Sequence, residues 1–244
     1  MSNNTHPLTG QVAVVTGGSG GIGTAIIHSL LEAGAEAISL DLTPPAGKDV
    51  SWIRCDVRED LSVASAIAQV AGEYHQIDIA VHGAGVSREA VIWKLAVDDW
   101  DFMQAVNLRG AFLLLRHVIP VMRQATNGAG GRIVLIGSIN GSRGKFGTSA
   151  YSASKAGLLG LSKSVAREVG RFGILVNVVE PGWVRTPLTD ALPQAVRDGA
   201  VAESALGQLL EPADVAAATL FLCGPGAKRI TGQILRVDGG QHIG

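Results

Sequence analysis

Seven short runs rich in Val and Ile, 12–15, 37–40, 52–54, 77–81, 133–136, 175–179 and 234–237, are interleaved with longer stretches whose apolar residues repeat at helical spacing. Apolar runs of this length mark strands buried on both faces, and such burial needs helices above and below a parallel sheet. The helical stretches are 22–33, 61–74, 100–123, 151–169 and 212–222. Strand and helix alternate through the whole length. The spacing predicts an α/β fold, a doubly wound parallel sheet of about seven strands, formed by residues 1–244 as a single domain. The connection 181–210, with Pro187, Pro193 and Gly199, reads as a segment that closes over a ligand, and 184–210 is the expected substrate lid.

Composition removes several function classes. Hydrophobic residues make up 47% and charged residues 17% of the 244, with a formal net charge of -1. That balance suits neither a disordered chain nor a nucleic-acid binder. The opening MSNNTHPLTG lacks the basic and apolar regions of a secretory signal. The longest apolar candidate, 105–122, is broken by Asn107, Arg109, Arg116 and His117, so no membrane partner is expected. Cys55 and Cys223, far apart, have no zinc-type spacing; no metal is expected, and a cytoplasmic location is. Asn3-Asn4-Thr5 matches a glycosylation acceptor by chance. Asp98-Asp99-x-Asp101 opens a helical stretch, where acidic residues cap and pair with the dipole rather than bind metal.

Directly behind the first run stands TGGSGGIG, residues 16–23. It parses either as Gly18-x-Gly20-x-x-Gly23, a dinucleotide-binding turn, or as Gly17-x-Ser19-x-Gly21, a hydrolase nucleophile elbow. The elbow normally follows several strands and needs later acid and His partners, whereas this turn follows the first strand. The dinucleotide parse requires an acidic residue at the end of the second strand, and Asp41 stands there. Glycines let the backbone approach a pyrophosphate, whose charge meets the positive end of the next helix. Gly17, Ser19, Gly20, Gly21, Ile22 and Gly23, with Asp41 and Leu42, are the candidate cofactor contacts. A 2′-phosphate would meet Asp41 as a like charge, and the neighbours Ser19 and Leu42 bring no cation. Discrimination of about 30- to 1000-fold for NAD(H) is expected.

The stretch IGSINGSRGKFGTSAYSASK, residues 136–155, brings acid–base chemistry. Tyr151 and Lys155, at i and i+4, share one helix face, and Ser138 follows the fifth strand at the carboxyl edge. A free phenol with a pKa near ~10 is a poor catalyst at neutral pH. An adjacent ammonium favours the phenolate.

With these pieces in order, the whole chain resembles the short-chain dehydrogenase/reductase family, a Rossmann-like fold. The matching residues are Thr16-Gly17-x-x-x-Gly21-x-Gly23, Asp56-Val57, Asn107, Ser138, Tyr151-x-x-x-Lys155, Pro181-Gly182 and Thr186. The resemblance implies that Tyr151 is the general acid/base, that Ser138 hydrogen-bonds the substrate oxygen, and that Lys155 lowers the Tyr151 pKa and holds the nicotinamide ribose. It implies a water-linked relay from Asn107 to Lys155, adenine contacts from Asp56 and Val57, and carboxamide contacts from Val184 and Thr186, beside Pro181 and Gly182. Where the family usually has Asn-Asn-Ala-Gly, this chain has His82-Gly83-Ala84-Gly85. The cofactor can still lie against Gly83, Ala84 and Gly85, and whether His82 replaces the missing amide stays open.

Within that family the chain looks most similar to the β-oxoacyl-carrier-protein reductase-like branch, through 87–100, PGWVRTPL and ITGQILRVDGG. A carrier-protein partner would call for basic residues beside the active-site mouth, with Arg123, Arg132, Arg167 and Arg171 as candidates. A preference for NAD(H) favours a secondary alcohol or 3-hydroxyacyl substrate. The alternatives are a 3-oxoacyl-carrier-protein reductase of fatty-acid synthesis and, in another class, a non-catalytic NAD-binding regulator. Asn140, Lys145 and Trp183, with 188–206, Arg88 and Trp93, are the expected pocket walls. Helices apolar on more than one face, and the resemblance, imply a homotetramer.

Overall fold

A computed structural model, describing residues 6–45, 50–124, 130–186, 189 and 193–243, carries the seven expected strands. They are β1 (Val12–Thr16), β2 (Glu36–Asp41), β3 (Ser51–Arg54), β4 (Ile79–His82), β5 (Arg132–Ile136), β6 (Leu175–Pro181) and β7 (Ile234–Val237). All neighbours are parallel, in the order β3-β2-β1-β4-β5-β6-β7. The strand order reverses between β1 and β4, so a crevice opens there beyond the carboxyl ends.

Alternation along β1 explains the layers. Val12 and Val14 join one buried cluster with Val63, Leu114 and Leu158. Ala13 and Val15 join the other with Ile26, Ile27 and Val215. Successive residues of a strand face opposite sides, so every position of β1 is buried and each burial of this kind contributes about 1.5–3 kcal/mol for a Val, Ile or Leu. The helices supplying these layers are α1 (Gly21–Glu32), α2 (Asp60–Tyr74), α3 (Val97–Gln104), α4 (Gly110–Gln124), α5 (Ile139–Arg143), α6 (Ser149–Val169), α7 (Gln194–Glu203) and α8 (Pro212–Cys223).

Four departures from the sequence reading have local causes. β4 starts at Ile79 rather than 77, because Asp78 turns back on β1: its amide donates to the Val12 carbonyl and its carboxylate accepts the Val12 N–H. The helix expected over 100–123 runs from 97 to 124, with a π-helical turn, Ala105–Arg109, between α3 and α4. Contrary to the expectation drawn from its interrupting polar residues, Val97–Gln124 is long and apolar enough to cross a membrane by length and composition. Half of its most apolar window is buried, with Leu113, Leu114, Leu115 and Val118 in the core cluster. Helices α5 and α7 escaped the periodicity because both are short.

Asp98 and Asp99 do lie in the first turn of α3, but the cap is Ala96 without a side-chain hydrogen bond, and Asp99 pairs with Arg88. Among the described residues no cluster suits a metal ion. Of the expected lid, Pro187, Leu188 and residues 190–192 lie outside the described residues, as does Asn3-Asn4-Thr5. The remainder holds α7 and a bridge between Val184 and Leu210.

Candidate functional site

The glycine turn is set by close approach. A Cβ on Gly17, whose φ is +68°, would lie 2.6 Å from the Ala84 backbone, and one on Gly23 would lie 2.0 Å from the Gly17 carbonyl oxygen. Helix α1 begins at Gly21 with Gly20 as its cap and no side-chain hydrogen bond to its first amides. Those N–H groups, with the helix dipole, fit a pyrophosphate. Ser19 does not point its hydroxyl at that position: it donates to the Thr43 carbonyl at 2.6 Å. That bond leaves the nucleophile parse without a partner base for Ser19.

Asp41 ends β2 with its carboxylate accepting the N–H groups of Ser19 at 3.1 Å and Thr43 at 3.3 Å. Leu42 beside it is exposed. The register pairs Asp41 with Arg54 on β3, a cation that inspection of the sequence neighbours Ser19 and Leu42 missed. Asp56, just past β3, is held by Arg58 at 2.6 Å. The hydrogen bond to that guanidinium draws the Asp56 pKa below the usual carboxylate value. Val57 is buried against Gly110.

At the end of β4 the His82 departure resolves. Its ring is fully buried, with Nδ1 2.9 Å from the Thr16 hydroxyl and Nε2 3.3 Å from the Asn107 carbonyl. Burial, reinforced by the charge on Lys155, pushes the imidazole pKa down to about 3. The Gly83 amide donates to the Thr16 carbonyl and the Ala84 amide to the Thr16 hydroxyl. The turn after β4 is thus sewn to the turn after β1.

Asn107 sits in the π turn and is fully buried. Its carboxamide accepts from the Val86 N–H at 2.8 Å and donates to the Val86 carbonyl and the Ser154 hydroxyl, both at 2.9 Å. The side chain is therefore a brace that joins Val86 to Ser154.

Ser138 caps α5, accepting the Asn140 N–H at 3.2 Å. Two residues into α6, the Tyr151 hydroxyl shares a hydrogen bond with Ser138. Lys155, buried one turn on, donates to the Ile136 carbonyl at 2.8 Å, and its Nζ lies 5.8 Å from the Tyr151 ring centre. A Cβ on Gly85 would lie 3.2 Å from that ammonium. Burial pushes Lys155 down to about 8. The same burial raises the Tyr151 pKa, with the Ser138 hydrogen bond opposing it. Desolvation thus opposes the lowering by Lys155 that the resemblance implies.

Beyond this group, β6 ends in Pro181 and Gly182. Trp183 follows, its ring lying 4.1 Å beneath Lys145 Nζ. Val184 is buried and Thr186 meets Thr189 at 3.3 Å. Asn140 accepts from Arg143 at 3.2 Å. Arg88 lies over the Phe102 ring, and Trp93 is largely exposed.

The four arginines expected beside the mouth are not there. Arg123 ends α4, Arg132 opens β5, and Arg167 and Arg171 close α6 and the turn after it. These places lie on the amino edge of the sheet, opposite Ser138. Besides Lys155, Lys145 lies beside Trp183 and Arg143 beside Asn140. The sequence reading also missed Glu180, fully buried on β6, which accepts the Ser142 hydroxyl at 2.8 Å and lies 3.6 Å from Arg236. An acidic residue directly after one apolar run, and Arg236 inside another, were the available signal.

A family model described as enoyl-(acyl carrier protein) reductase matches residues 17–242. The chain is 36% identical over 242 residues to the 3-oxoacyl-acyl-carrier-protein reductase of Salmonella typhimurium, covering 96% of this chain and 98% of that one. It is 33% identical over 248 residues to the enzyme of the same name from Thermotoga maritima, covering 97% and 99%. Among solved structures, ligand-free aldohexose dehydrogenase of Thermoplasma acidophilum matches with a TM-score of 0.91 at 30% identity, over 97% of this chain and 96% of that chain.

Proposed function

Because the chain belongs to the short-chain dehydrogenase/reductase family and is an oxidoreductase of that family, we propose that it interconverts a 3-oxoacyl and a 3-hydroxyacyl thioester with NAD(H). The observation that carries this reading is the meeting of Ser138, Tyr151 and Lys155 at the carboxyl edge of the sheet. The thioester class is supported by the names of the Salmonella and Thermotoga relatives.

The cofactor supplies or removes the hydride. Ser138 and Tyr151 donate hydrogen bonds to the substrate carbonyl oxygen. As negative charge grows there, the Tyr151 hydroxyl gives up its proton, and the Lys155 ammonium stabilises the phenolate left behind. Lys155 then passes a proton to the phenolate and regains one from solvent through a water at Asn107, the relay that the resemblance implies. Gly17, Gly20, Gly21, Ile22 and Gly23 receive the pyrophosphate, Asp56 and Val57 border the adenine, Gly83, Ala84 and Gly85 leave room for the cofactor, and Val184 and Thr186 hold the carboxamide. Asp41, preoriented by two amides, supports NAD(H) over NADP(H). Asn140, Lys145 and Trp183 wall the substrate, and α7 covers it.

A homotetramer is part of the same proposal. Leu108 of the π turn, Phe112 of α4 and Leu161 of α6 line a largely apolar hollow of about 580 Å³, which a second copy would cover. A reducing, cytoplasmic setting is supported by Cys55 and Cys223, both free and buried.

The test is a matrix of NADH and NADPH against acetoacetyl-coenzyme A, cyclic ketones and aldohexoses, followed by absorbance. NADH oxidation with the thioester is the expected result. Tighter use of NADPH would overturn the cofactor assignment. NADH binding without turnover of any carbonyl would return the chain to a nucleotide-binding regulator.

A further inference from the structure

The last residues of the chain reach the substrate side of the site from behind. After β7, Asp238 folds the tail onto itself, accepting the Gly240 and His242 amides at 2.9 and 2.8 Å. That turn presents Gln241, whose carboxamide is used at both ends. Its Oε1 accepts the Trp183 N–H at 2.8 Å, and its Nε2 donates to the Ala200 carbonyl in α7 at 2.9 Å.

The seat for this side chain is fitted. A Cβ on Gly182 would lie 2.1 Å from Gln241 Oε1, so the carboxamide rests on bare backbone. The Trp183 carbonyl accepts the Leu210 N–H at 2.9 Å. The Gln241 main-chain carbonyl accepts from Arg143 at 3.2 Å, and Arg143 also holds Asn140 and Glu203. One residue therefore ties together the turn carrying Trp183, helix α7 and helix α5, whose cap is Ser138.

We propose that Gln241 is a positioning residue that sets the selectivity of the substrate pocket by fixing the spacing between the Trp183 wall and α7. An amide is required because one partner donates and the other accepts. A carboxylate of the same shape keeps the Trp183 bond but faces the Ala200 carbonyl with a second acceptor, and an aliphatic side chain makes neither bond. The kinetic half of this inference rests on the proposed function; the structural half does not.

Gln241→Glu and Gln241→Leu are compared with the wild type in two measurements. The first is hydrogen exchange of the α7 amides, which needs no substrate. Loss of one such bond is expected to speed exchange by about tenfold in Gln241→Glu, and more in Gln241→Leu, while α2 amides stay unchanged. The second is steady-state kinetics with NADH and a series of 3-oxoacyl-coenzyme A chain lengths. KM for the acyl substrates rises by about tenfold and discrimination between chain lengths shrinks, while KM for NADH and kcat stay within about twofold. Unchanged α7 exchange in the near-isosteric Gln241→Glu overturns the proposal, whether or not Gln241→Leu folds. So does a uniform fall in kcat with chain-length discrimination intact. Wild-type protein that turns over no thioester refutes the proposed function alone, and the exchange result still decides the role of Gln241.

Discussion

His82 donates its Nε2–H to the main-chain carbonyl of Asn107 at 3.3 Å, which leaves Nδ1 to accept the Thr16 hydroxyl proton at 2.9 Å. A carbonyl can only accept, so this neutral tautomer is the one that satisfies both ends. A single imidazole thereby joins the end of β1, the end of β4 and the π turn that carries Asn107. It does so through two ring nitrogens in fixed directions.

That arrangement makes the fold sensitive to acid. The folded His82 pKa, about 3, lies below the ordinary imidazole value of 6.5, so the unfolded chain binds the extra proton throughout that interval. Stability is expected to fall as pH drops from 6.5 towards 3, by up to about 5 kcal/mol from this group. His82→Asn removes the titration at the cost of about 1–3 kcal/mol at neutral pH. Urea unfolding across the pH series checks it; an unchanged acid slope in the variant would refute the assignment.

Lys155 gives the opposite window. Its folded pKa of about 8 lies below 10.5, so the unfolded state binds more protons between those values. Relative to Lys155→Met, the wild type gains about 3 kcal/mol of stability as pH rises through that range. Parallel stability curves for the two proteins above pH 8 would show that Lys155 is not desolvated.

Tyr151→Phe keeps the ring and deletes the proton. Turnover falls by about 10²- to 10⁴-fold, while NADH binding, measured by fluorescence titration, stays within about twofold. Substantial residual activity would remove Tyr151 from the chemistry.

Asp41→Asn removes the like charge that a 2′-phosphate would meet. The preference for NADH over NADPH, about 30- to 1000-fold in the wild type, is expected to narrow towards parity. Arg54, paired with Asp41 in register, would then hold the phosphate, and Asp41→Asn/Arg54→Ala loses the NADPH gain. Ratios of kcat/KM with the two cofactors decide the point.

Trp183→Ala enlarges the pocket beside Lys145. Branched and cyclic ketones rejected by the wild type become substrates, with discrimination weakened by about 10- to 200-fold. The same selectivity across a ketone panel would place Trp183 outside the pocket.

Much of this molecule was legible along the chain because its signals are local. An apolar run such as 12–15 has to be buried on both faces, and Tyr151 and Lys155 share a helix face at any tertiary arrangement. The glycine turn and Asp41 are linked by the geometry of one βαβ unit. Other features have no local signature. Arg54 stands beside Asp41 because β2 and β3 pair in one register, and the π turn at Asn107 leaves the apolar periodicity of 97–124 almost unaltered.

The sequence by itself determined the parallel α/β sheet, through the alternation of apolar runs and helical spacing, and the family, through motifs that resemble it in order along the chain. Tertiary structure decided how the candidate site residues are charged and held. Burial lowers the pKa of His82 and of Lys155 and raises that of Tyr151, because desolvation depends on what packs around each group. Gln241 reaches Trp183 across 58 residues, and folding alone brings that pair together.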